Sequence, residues 1–359
     1  MIAATVGLAA GALAFGVALG DGGSPRPSAA SQLTLGQLAG ERLAVGFPGS
    51  TVPGPLRRMV RQGRVAGVIL FAENLPSRAA GRRLIAELQA IPRPAGLRDP
   101  LLVMVDQEGG LVKRLAGAPT ASAEEMGVRG AAFSRMQGAR TAANLRDVGV
   151  NVDLAPVLDV ARPGGDIAAT ERGFGSTPAR VTATAVPFAT ALQGGRVAAT
   201  GKHFPGFGSA RVNTDVAVQR VGLSKAELRR VDEAPYRRFA AAGGAMVMLS
   251  TAIYPAFSPK PAAFAPSIAT GELRQRLGFA GVSITDSLDS VAVDAFGGPV
   301  VSARAAVRAG TDLLLFTDLG AGARAETGLI RALRSGALTR ADFETSAGRV
   351  LRLRHRLAG

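Results

Sequence analysis

From about residue 35 onward, short apolar runs alternate with longer segments whose apolar positions follow a helical period. Eight runs can be distinguished, at residues 42–47, 65–71, 101–106, 151–155, 197–202, 245–250, 281–286 and 312–317. They lack strict apolar–polar alternation, as parallel strands buried on both faces do. Eight strand–helix units in about 320 residues predict an α/β protein with a single (β/α)8 TIM-type barrel over residues 35–359.

Helix-start signals separate several of these runs. Ser77 is a candidate N-cap for a helix over 77–90, and the pairs Ser122/Glu125 and Ser224/Glu227 have capping-box spacing. The competing architecture is a doubly wound open sheet. No Gly-x-Gly-x-x-Gly sequence follows the first predicted strand, which favours the barrel.

The amino-terminal segment differs from the rest of the chain. Residues 2–20 contain only Ala, Gly, Leu, Val, Ile, Phe and one Thr, and 21–31 are rich in Gly, Pro and Ser. This pattern predicts a signal peptide or membrane anchor at 1–20 and a linker at 21–34. No Lys or Arg precedes the apolar run, although Ala-Leu-Gly at 18–20 fits a cleavage site. We expect export to the extracellular space or cell envelope, with cleavage or membrane tethering left open.

Composition narrows the functional classes. The chain has no Cys and two His, with no His-Glu-x-x-His sequence, so neither a disulfide, a metal site nor a cofactor is expected. The formal net charge is +15, but the Arg residues are scattered along the chain. We therefore expect no nucleic-acid partner. An anionic surface is one interpretation of the charge, and an Arg-rich background composition is the other.

Polar residues stand where the predicted strands end. These positions are Asp106, Asp159, Lys202, His203, Ser250, Thr251, Asp286 and Asp318. Solvation of a strand end explains any single one, but barrel enzymes place their chemistry at the carboxyl ends of the strands. In 201–208 the Lys-His pair is followed by Pro and two Gly, an arrangement suited to a hydroxyl-rich ligand. Asp106, Lys202, His203 and Asp286 are therefore expected to share one pocket.

The chain resembles the glycoside hydrolase family 3 β-N-acetylglucosaminidases, single-barrel bacterial enzymes that trim N-acetylglucosamine from cell-wall fragments. The segments that carry the resemblance are Val-Asp-Gln-Glu-Gly-Gly at 105–110 with Arg114 beyond it, Asn-Val-Asp-Leu-Ala-Pro-Val-Leu-Asp-Val at 151–160, Arg-Gly-Phe-Gly at 172–175 followed by Thr-Pro, Lys-His-Phe-Pro-Gly at 202–206, and Ile-Thr-Asp-Ser-Leu at 284–288. They stand in the family's order on the predicted strands, and the resemblance covers most of 35–357.

The resemblance implies roles for the pocket residues. Asp106 and Arg114 would hold the outer hydroxyls of the sugar. The remaining hydroxyls and the N-acetyl side would contact Arg172, Lys202 and His203. Asp286 would be the nucleophile of a retaining mechanism. The alternative for Asp286 is a helix N-cap after the seventh strand.

One loop departs from the family pattern. Where the resemblance implies a general acid/base His, the chain has Ala217, and Asp215 falls near the place of the Asp that orients that His. Three outcomes remain open. Asp215 serves as the acid/base, another carboxylate such as Glu108 or Asp318 serves, or the protein binds sugar with little or no turnover.

The leading functional hypothesis is an exported retaining β-N-acetylhexosaminidase that acts on N-acetylglucosamine-containing cell-wall fragments. The alternatives are an impaired family member that binds muropeptide-type sugars and a β-glucosidase of the broader family. Each hypothesis makes a carbohydrate the partner.

Overall fold

The structure is a computed structural model, and it describes residues 29–358. The predicted signal peptide or anchor at 1–20 and residues 21–28 of the predicted linker lie outside the described residues. Within 29–34, Ala29–Gln32 form a 3-10 turn, and the Arg340 guanidinium donates to the carbonyl of Leu33 (2.8 Å). Among the described residues, no helix has both the length and the apolar content needed to cross a membrane.

Eight parallel strands form the central sheet, one at each of the eight predicted runs. The strands are β1 (Leu43–Val45), β2 (Gly67–Ile69), β3 (Leu102–Val105), β6 (Val152–Asp153), β7 (Ala198–Phe204), β8 (Met246–Leu249), β9 (Val282–Thr285) and β10 (Leu314–Phe316). Their order is β10-β1-β2-β3-β6-β7-β8-β9, and a parallel bridge between Ile284 and Leu313 joins β9 to β10. The sheet therefore closes on itself, and the (β/α)8 prediction is confirmed. A small antiparallel hairpin, β4 (Gln107–Gly109) and β5 (Val112–Lys113), follows β3.

Helices and short turns connect the strands. The α-helices are α1 (Leu35–Gly40), α2 (Gly54–Gln62), α3 (Arg78–Ala90), α4 (Ala123–Arg129), α5 (Ala131–Val148), α6 (Asp166–Ala169), α7 (Pro178–Gly194), α8 (Lys225–Glu227), α9 (Ala234–Ala241), α10 (Val291–Asp294), α11 (Gly298–Ala309), α12 (Leu319–Arg334) and α13 (Arg340–Ala358). Two π-helical segments, Leu228–Asp232 and Ser267–Arg276, replace parts of the helical layer.

The predicted helix starts are confirmed. Ser77 Oγ accepts from the backbone N of Ala80 (3.2 Å), and Ser122 Oγ accepts from that of Glu125 (3.1 Å). Ser224 caps α8 in the same way. The reciprocal half of the predicted box is not formed at Ser122, because the Glu125 carboxylate accepts from Arg129 (2.9 Å) one helical turn later.

The pleat of the strands divides the apolar core into two layers. In β3, Leu102 and Met104 belong to the layer inside the barrel, whereas Val103 and Val105 pack against the surrounding helices. The interior layer also includes Leu353 and other residues of α13. Because Arg354 of that helix bonds to the carbonyl of Pro100, just before β3, α13 covers the amino-terminal end of the barrel. The carboxyl end is not covered by this helix and is open for a site.

A buried ionic cluster lies at the closed end. Asp312, just before β10, is fully buried and pairs with the guanidinium groups of Arg274 and Arg349. It also accepts from Ser283 N (2.9 Å) and Ser283 Oγ (3.1 Å). The carboxylate is satisfied by four donors, and its position opposite the open end gives it a structural role.

Candidate active site

A cavity of about 170 Å³ opens at the carboxyl ends of the strands. All seven residues singled out from the sequence line it: Asp106, Arg114, Arg172, Lys202, His203, Asp215 and Asp286. They come from the ends of β3, β7 and β9 and from three of the loops above the barrel. The expectation that side chains far apart in sequence meet at one pocket is therefore confirmed, while their roles remain predictions.

An ionic cluster forms one side of the cavity. Lys202 Nζ lies 2.7 Å from Asp106 Oδ1 and 2.6 Å from Glu108 Oε1. Arg172 forms a bidentate pair with Glu108, with both N–O distances 2.8 Å. Burial alone would raise the pKa of Glu108, but the charges of Arg172 and Lys202 outweigh it and hold that pKa well below its usual range. Glu108 is thus ionised, which excludes it as a proton donor.

The two cations are held in their charged forms by the same cluster. Burial would lower the pKa of Lys202, but Asp106 and Glu108 raise it above its ordinary value. The pKa of Arg172 is also raised, because Glu108 outweighs the effect of burial. The site therefore offers fixed positive charge and N–H donors next to the exposed side of Asp106, which suits a ligand with adjacent hydroxyl groups.

Gln107 organises the loop that carries Arg114. Its side-chain nitrogen donates to the carbonyls of Leu115 (2.8 Å) and Ala118 (2.9 Å), and its oxygen accepts from the backbone N of Arg114 (3.0 Å). Arg114 in turn lies 3.4 Å from Asp106, and its Nε is buried with no protein partner among the described residues. Gln107 stands beside Asp106 in the segment at 105–110, but its role in holding the loop was not foreseen.

His203 is oriented by Asp159. Its Nδ1 lies 2.8 Å from Asp159 Oδ2, and the same carboxylate accepts from the backbone N of His203 (3.1 Å) and of Phe207 (2.7 Å). Asp159 is fully buried and accepts at all three positions, so the ring carries its proton on Nδ1 and leaves Nε2 for the cavity. The sequence placed Asp159 at a strand end, but this orienting contact was not foreseen.

Asp286 stands directly after β9. Its backbone N donates to the carbonyl of Leu249 (2.9 Å), and its Oδ1 accepts from the backbone N of Ser287 (2.8 Å). The next helix, α10, has Ser290 at its N-cap position, so the alternative reading of Asp286 as a helix cap is wrong. Asp318 does have that role, because its Oδ1 accepts from Ala321 N (2.7 Å) at the start of α12, and it does not line the cavity.

Asp215 belongs to a tight loop over the cavity. Asn213 holds this loop: its side-chain oxygen accepts from Asp215 N (2.9 Å), and its carbonyl accepts from Val216 N (3.0 Å). The carbonyl of Thr214 accepts from Ala292 N (3.2 Å) in α10. The loop is therefore fastened to the segment that follows Asp286, which keeps the two carboxyl groups at one pocket.

The pKa of Asp215 is raised to about 6. Part of the residue is exposed at the mouth, but neighbouring protein atoms desolvate its carboxyl group, and this is the largest cause. The negative charge of Asp286 is the second. A carboxyl group whose pKa is about 6 is partly protonated near neutral pH, and together with a second carboxyl group in the same cavity it is suited to form an acid/base and nucleophile pair.

Among residues 29–358, no cluster of three or more His, Asp or Glu side chains has the arrangement needed to hold a metal ion.

Comparisons with known proteins agree with this architecture. The sequence profile of the glycosyl hydrolase family 3 N terminal domain matches residues 38–353. An uncharacterized secreted glycosyl hydrolase of Arthroderma benhamiae is 34% identical over 336 residues, covering 91% of this chain and 95% of the relative. A beta-hexosaminidase of Thioalkalivibrio sulfidiphilus is 36% identical over 268 residues, covering 72% of this chain and 75% of that enzyme.

Two solved structures share the fold along most of the chain. A glycoside hydrolase family 3 beta-N-acetylglucosaminidase from Paenibacillus sp. str. FPU-7 superposes with a TM-score of 0.86 at 33% identity, over 91% of this chain. The match spans 63% of the Paenibacillus chain, less than two thirds of its length. The beta-N-acetylhexosaminidase of Beutenbergia cavernae superposes with a TM-score of 0.83 at 29% identity, covering 90% of this chain and 99% of that one.

Proposed function

The chain belongs to glycosyl hydrolase family 3, and we propose that it is an exported β-N-acetylhexosaminidase that cleaves its substrate with retention of configuration. Family membership makes it a glycoside hydrolase acting on O-glycosyl bonds, and its substrate a carbohydrate. One observation carries the mechanistic part of the proposal: Asp286 and Asp215 line one cavity, and the pKa of Asp215 is about 6.

Sugar binding is assigned to the ionic side of the cavity. Asp106 accepts from ring hydroxyls, while Lys202, Arg172 and Arg114 donate to hydroxyl or N-acetyl oxygens. His203 contributes Nε2, in the orientation that Asp159 fixes. Hydrogen bonds with a charged partner are about twice as strong as neutral ones, so a sugar with the wrong hydroxyl pattern leaves costly unpaired groups.

The proposed first step uses both carboxyl groups. An oxygen of Asp286 attacks the anomeric carbon, and the bond from that carbon to the leaving oxygen breaks. Asp215 gives its proton to the leaving oxygen, so the aglycone departs as an alcohol and a glycosyl ester of Asp286 remains.

The second step reverses the proton movement. Water attacks the anomeric carbon, Asp215 takes a proton from that water, and Asp286 is released as a carboxylate. The charge of Asp286 helps to raise the pKa of Asp215, and esterification removes that charge. The pKa of Asp215 then falls, which suits its change from acid to base.

Export and a cell-wall substrate are the finer parts of the proposal. The apolar segment at 2–20 and the Gly/Pro/Ser-rich segment after it support export, as does a relative named as secreted. N-acetylglucosamine-containing wall fragments are the substrate class that the resemblance to β-N-acetylglucosaminidases favours. The alternative of a protein that only binds muropeptide-type sugars rests on Ala217, and the position and pKa of Asp215 argue against it.

The test of the proposal is hydrolysis of an aryl β-N-acetylglucosaminide, with an aryl β-glucoside for comparison. We expect the N-acetyl sugar to be preferred, Asp286→Ala to reduce turnover to background, and Asp294→Ala, an exposed carboxylate of the adjacent α10, to leave it unchanged. Proton NMR of the first product formed should show the β-anomer. Absence of hydrolysis, or initial release of the α-anomer, would reject the retaining hydrolase.

Export has a separate test. The full chain and a chain that begins at residue 29 are expressed in a bacterial host, and enzyme activity is measured in the cytoplasmic, membrane and external fractions. We expect only the full chain to leave the cytoplasm. Equal distribution of the two would contradict export through the amino-terminal segment.

A further inference from the structure

Exposed aliphatic side chains are concentrated at the open end of the barrel. The large apolar residues that are exposed within residues 29–358 are Leu111, Val128, Val212, Val216, Val218, Val291 and Val301. All seven lie in segments that follow β3, β7 or β9, at the end where the cavity opens. Leu111 is 77% exposed and Val216 is 66% exposed, values that a folding role does not explain.

Five of these residues belong to the segments that form the mouth of the cavity, and we call them the aliphatic rim: Leu111, Val212, Val216, Val218 and Val291. Val218 follows Ala217, whose N–H donates to the carbonyl of the cavity-lining Asn213 (3.3 Å). Leu111 precedes Val112, which lines the cavity, in the β4–β5 hairpin. Val212 and Val216 lie next in the chain to Asn213 and Asp215, which also line it.

The fifth rim residue reaches the mouth through a backbone contact. Val291 precedes Ala292, whose N–H donates to the carbonyl of Thr214, directly before Asp215. The rim is thus continuous with the loop that carries the proposed acid/base.

The size of the cavity limits what it holds. Its volume of about 170 Å³ is close to the roughly 150 Å³ of a protein cavity that accepts one benzene ring. The enclosed part of the cavity has room for about one sugar ring, so we place the group attached to the scissile oxygen outside it. Because Asp215 stands at the mouth, beside Val216, the leaving group emerges among the aliphatic side chains of the rim.

Lys113, the cation within the β4–β5 hairpin, does not point its charge toward a ligand at the aliphatic rim. Lys113 Nζ donates back to the carbonyl of Gly117 (3.3 Å) within its own loop.

We propose that the aliphatic rim binds the aglycone and that the enzyme prefers β-glycosides whose aglycone carries an apolar alkyl or acyl chain. This inference rests on the proposed function, since it concerns the aglycone side of the same site, and it replaces the polar aglycone of a wall fragment by an apolar one.

The experiment compares butyl and octyl β-N-acetylglucosaminides, below the concentration at which the octyl compound forms micelles. Their non-hydrolysable 1-thio analogues are used for binding by calorimetry, and the oxygen glycosides for kcat/KM. We expect the octyl compounds to show an affinity and a kcat/KM about tenfold higher, because four further methylene groups are partly removed from water. Leu111→Ser and Val216→Ser should each reduce this ratio. Val301→Ser, a matched change at an exposed valine outside the rim, should leave this ratio unchanged.

The outcomes separate the inference from the proposed function. Hydrolysis with equal values for butyl and octyl compounds overturns the apolar aglycone alone. A tenfold preference in thioglycoside binding without hydrolysis supports the rim and rejects the hydrolase. If neither thioglycoside binds, both fail.

Two further outcomes overturn the assignment of the rim. One is an equal loss of the octyl preference in Val301→Ser and Val216→Ser, since the effect then does not arise at the mouth. The other is the absence of a chain-length effect together with binding to phosphatidylglycerol vesicles that Leu111→Ser and Val216→Ser abolish. That result would make the residues a lipid-contact surface.

Discussion

Replacement of Asp215 by Asn tests the acid/base assignment most directly. The variant keeps the size of the side chain but cannot give or take the proton. General acid catalysis is worth about 10²–10⁴-fold, so we expect a loss of that order in kcat/KM for an alkyl β-N-acetylglucosaminide. A dinitrophenyl glycoside, whose leaving group needs no proton, should lose less than about tenfold. Because kcat/KM reports the steps up to the first irreversible one, this comparison isolates formation of the glycosyl-enzyme.

The pH dependence supplies the second readout. Asp215 has to be protonated in the first step, and its pKa is about 6. The wild-type kcat/KM for the alkyl substrate should therefore be constant just below pH 6 and fall about tenfold per pH unit well above it. Asp215→Asn should lack this alkaline limb. The second step needs a base, so added azide, which attacks without one, should restore kcat of the variant on the dinitrophenyl substrate and yield a glycosyl azide.

A matched control is available on the same face of the barrel. Asp318 is a carboxylate at a strand end, but it caps α12 and does not line the cavity. Asn is also a good N-cap, so Asp318→Asn should keep the wild-type pH profile and rate. The reasoning fails if Asp215→Asn retains a limb near pH 6, or if both substrates lose activity equally.

Three further predictions concern folding. Asp312→Ala leaves two partly buried guanidinium groups without their shared partner, and urea denaturation should show a loss of about 3 kcal/mol, with kcat per folded molecule unchanged. In Gly208→Ala the new methyl group would lie 1.9 Å from the carbonyl oxygen of Val160, so we expect a cost of about 1–3 kcal/mol and lower activity, whereas wild-type values would disprove the close approach. Asp215→Asn should stabilise the fold at pH 8 but much less at pH 4.5. The reason is that the pKa of this carboxyl group is higher in the folded than in the unfolded protein, so its ionisation destabilises the fold as the pH rises from about 4 to the folded pKa. An equal difference in melting temperature at both pH values would contradict this.

Much of the fold was predictable because it depends on local patterns. Each strand of the barrel coincides with a largely apolar run, since strands buried on both faces favour apolar residues along most of their length. The serine caps at Ser77 and Ser122 were also predictable, because a cap is a contact between residues three apart. The partner of the Glu125 carboxylate was not predictable, since two local donors, the backbone N–H of Ser122 and the guanidinium of Arg129, compete for it and the sequence does not rank them.

The site was predictable as a set of residues but not as a set of contacts. Asp106, Lys202 and Asp286 lie at the carboxyl ends of three strands. Because parallel strands of a barrel end at the same face, predicting the eight strands was enough to predict that these residues lie at one end. The bond between His203 and Asp159 does not follow from spacing, because it depends on the path of two loops. The same holds for the pairing of Glu108, which decides whether that residue carries a proton.

Placement therefore decides what each carboxyl group of this pocket is able to do. Glu108 and Asp215 have nearly the same ordinary pKa, yet two buried cations keep the first ionised, while desolvation and Asp286 keep the second partly protonated near neutral pH. Only the second is able to deliver a proton to a leaving group. An Ala at position 217 removes one familiar side chain from the loop, but proton transfer requires a group with a suitable pKa at the scissile bond rather than an imidazole. We propose that Asp215, in the loop that Asn213 holds at the cavity, is that group.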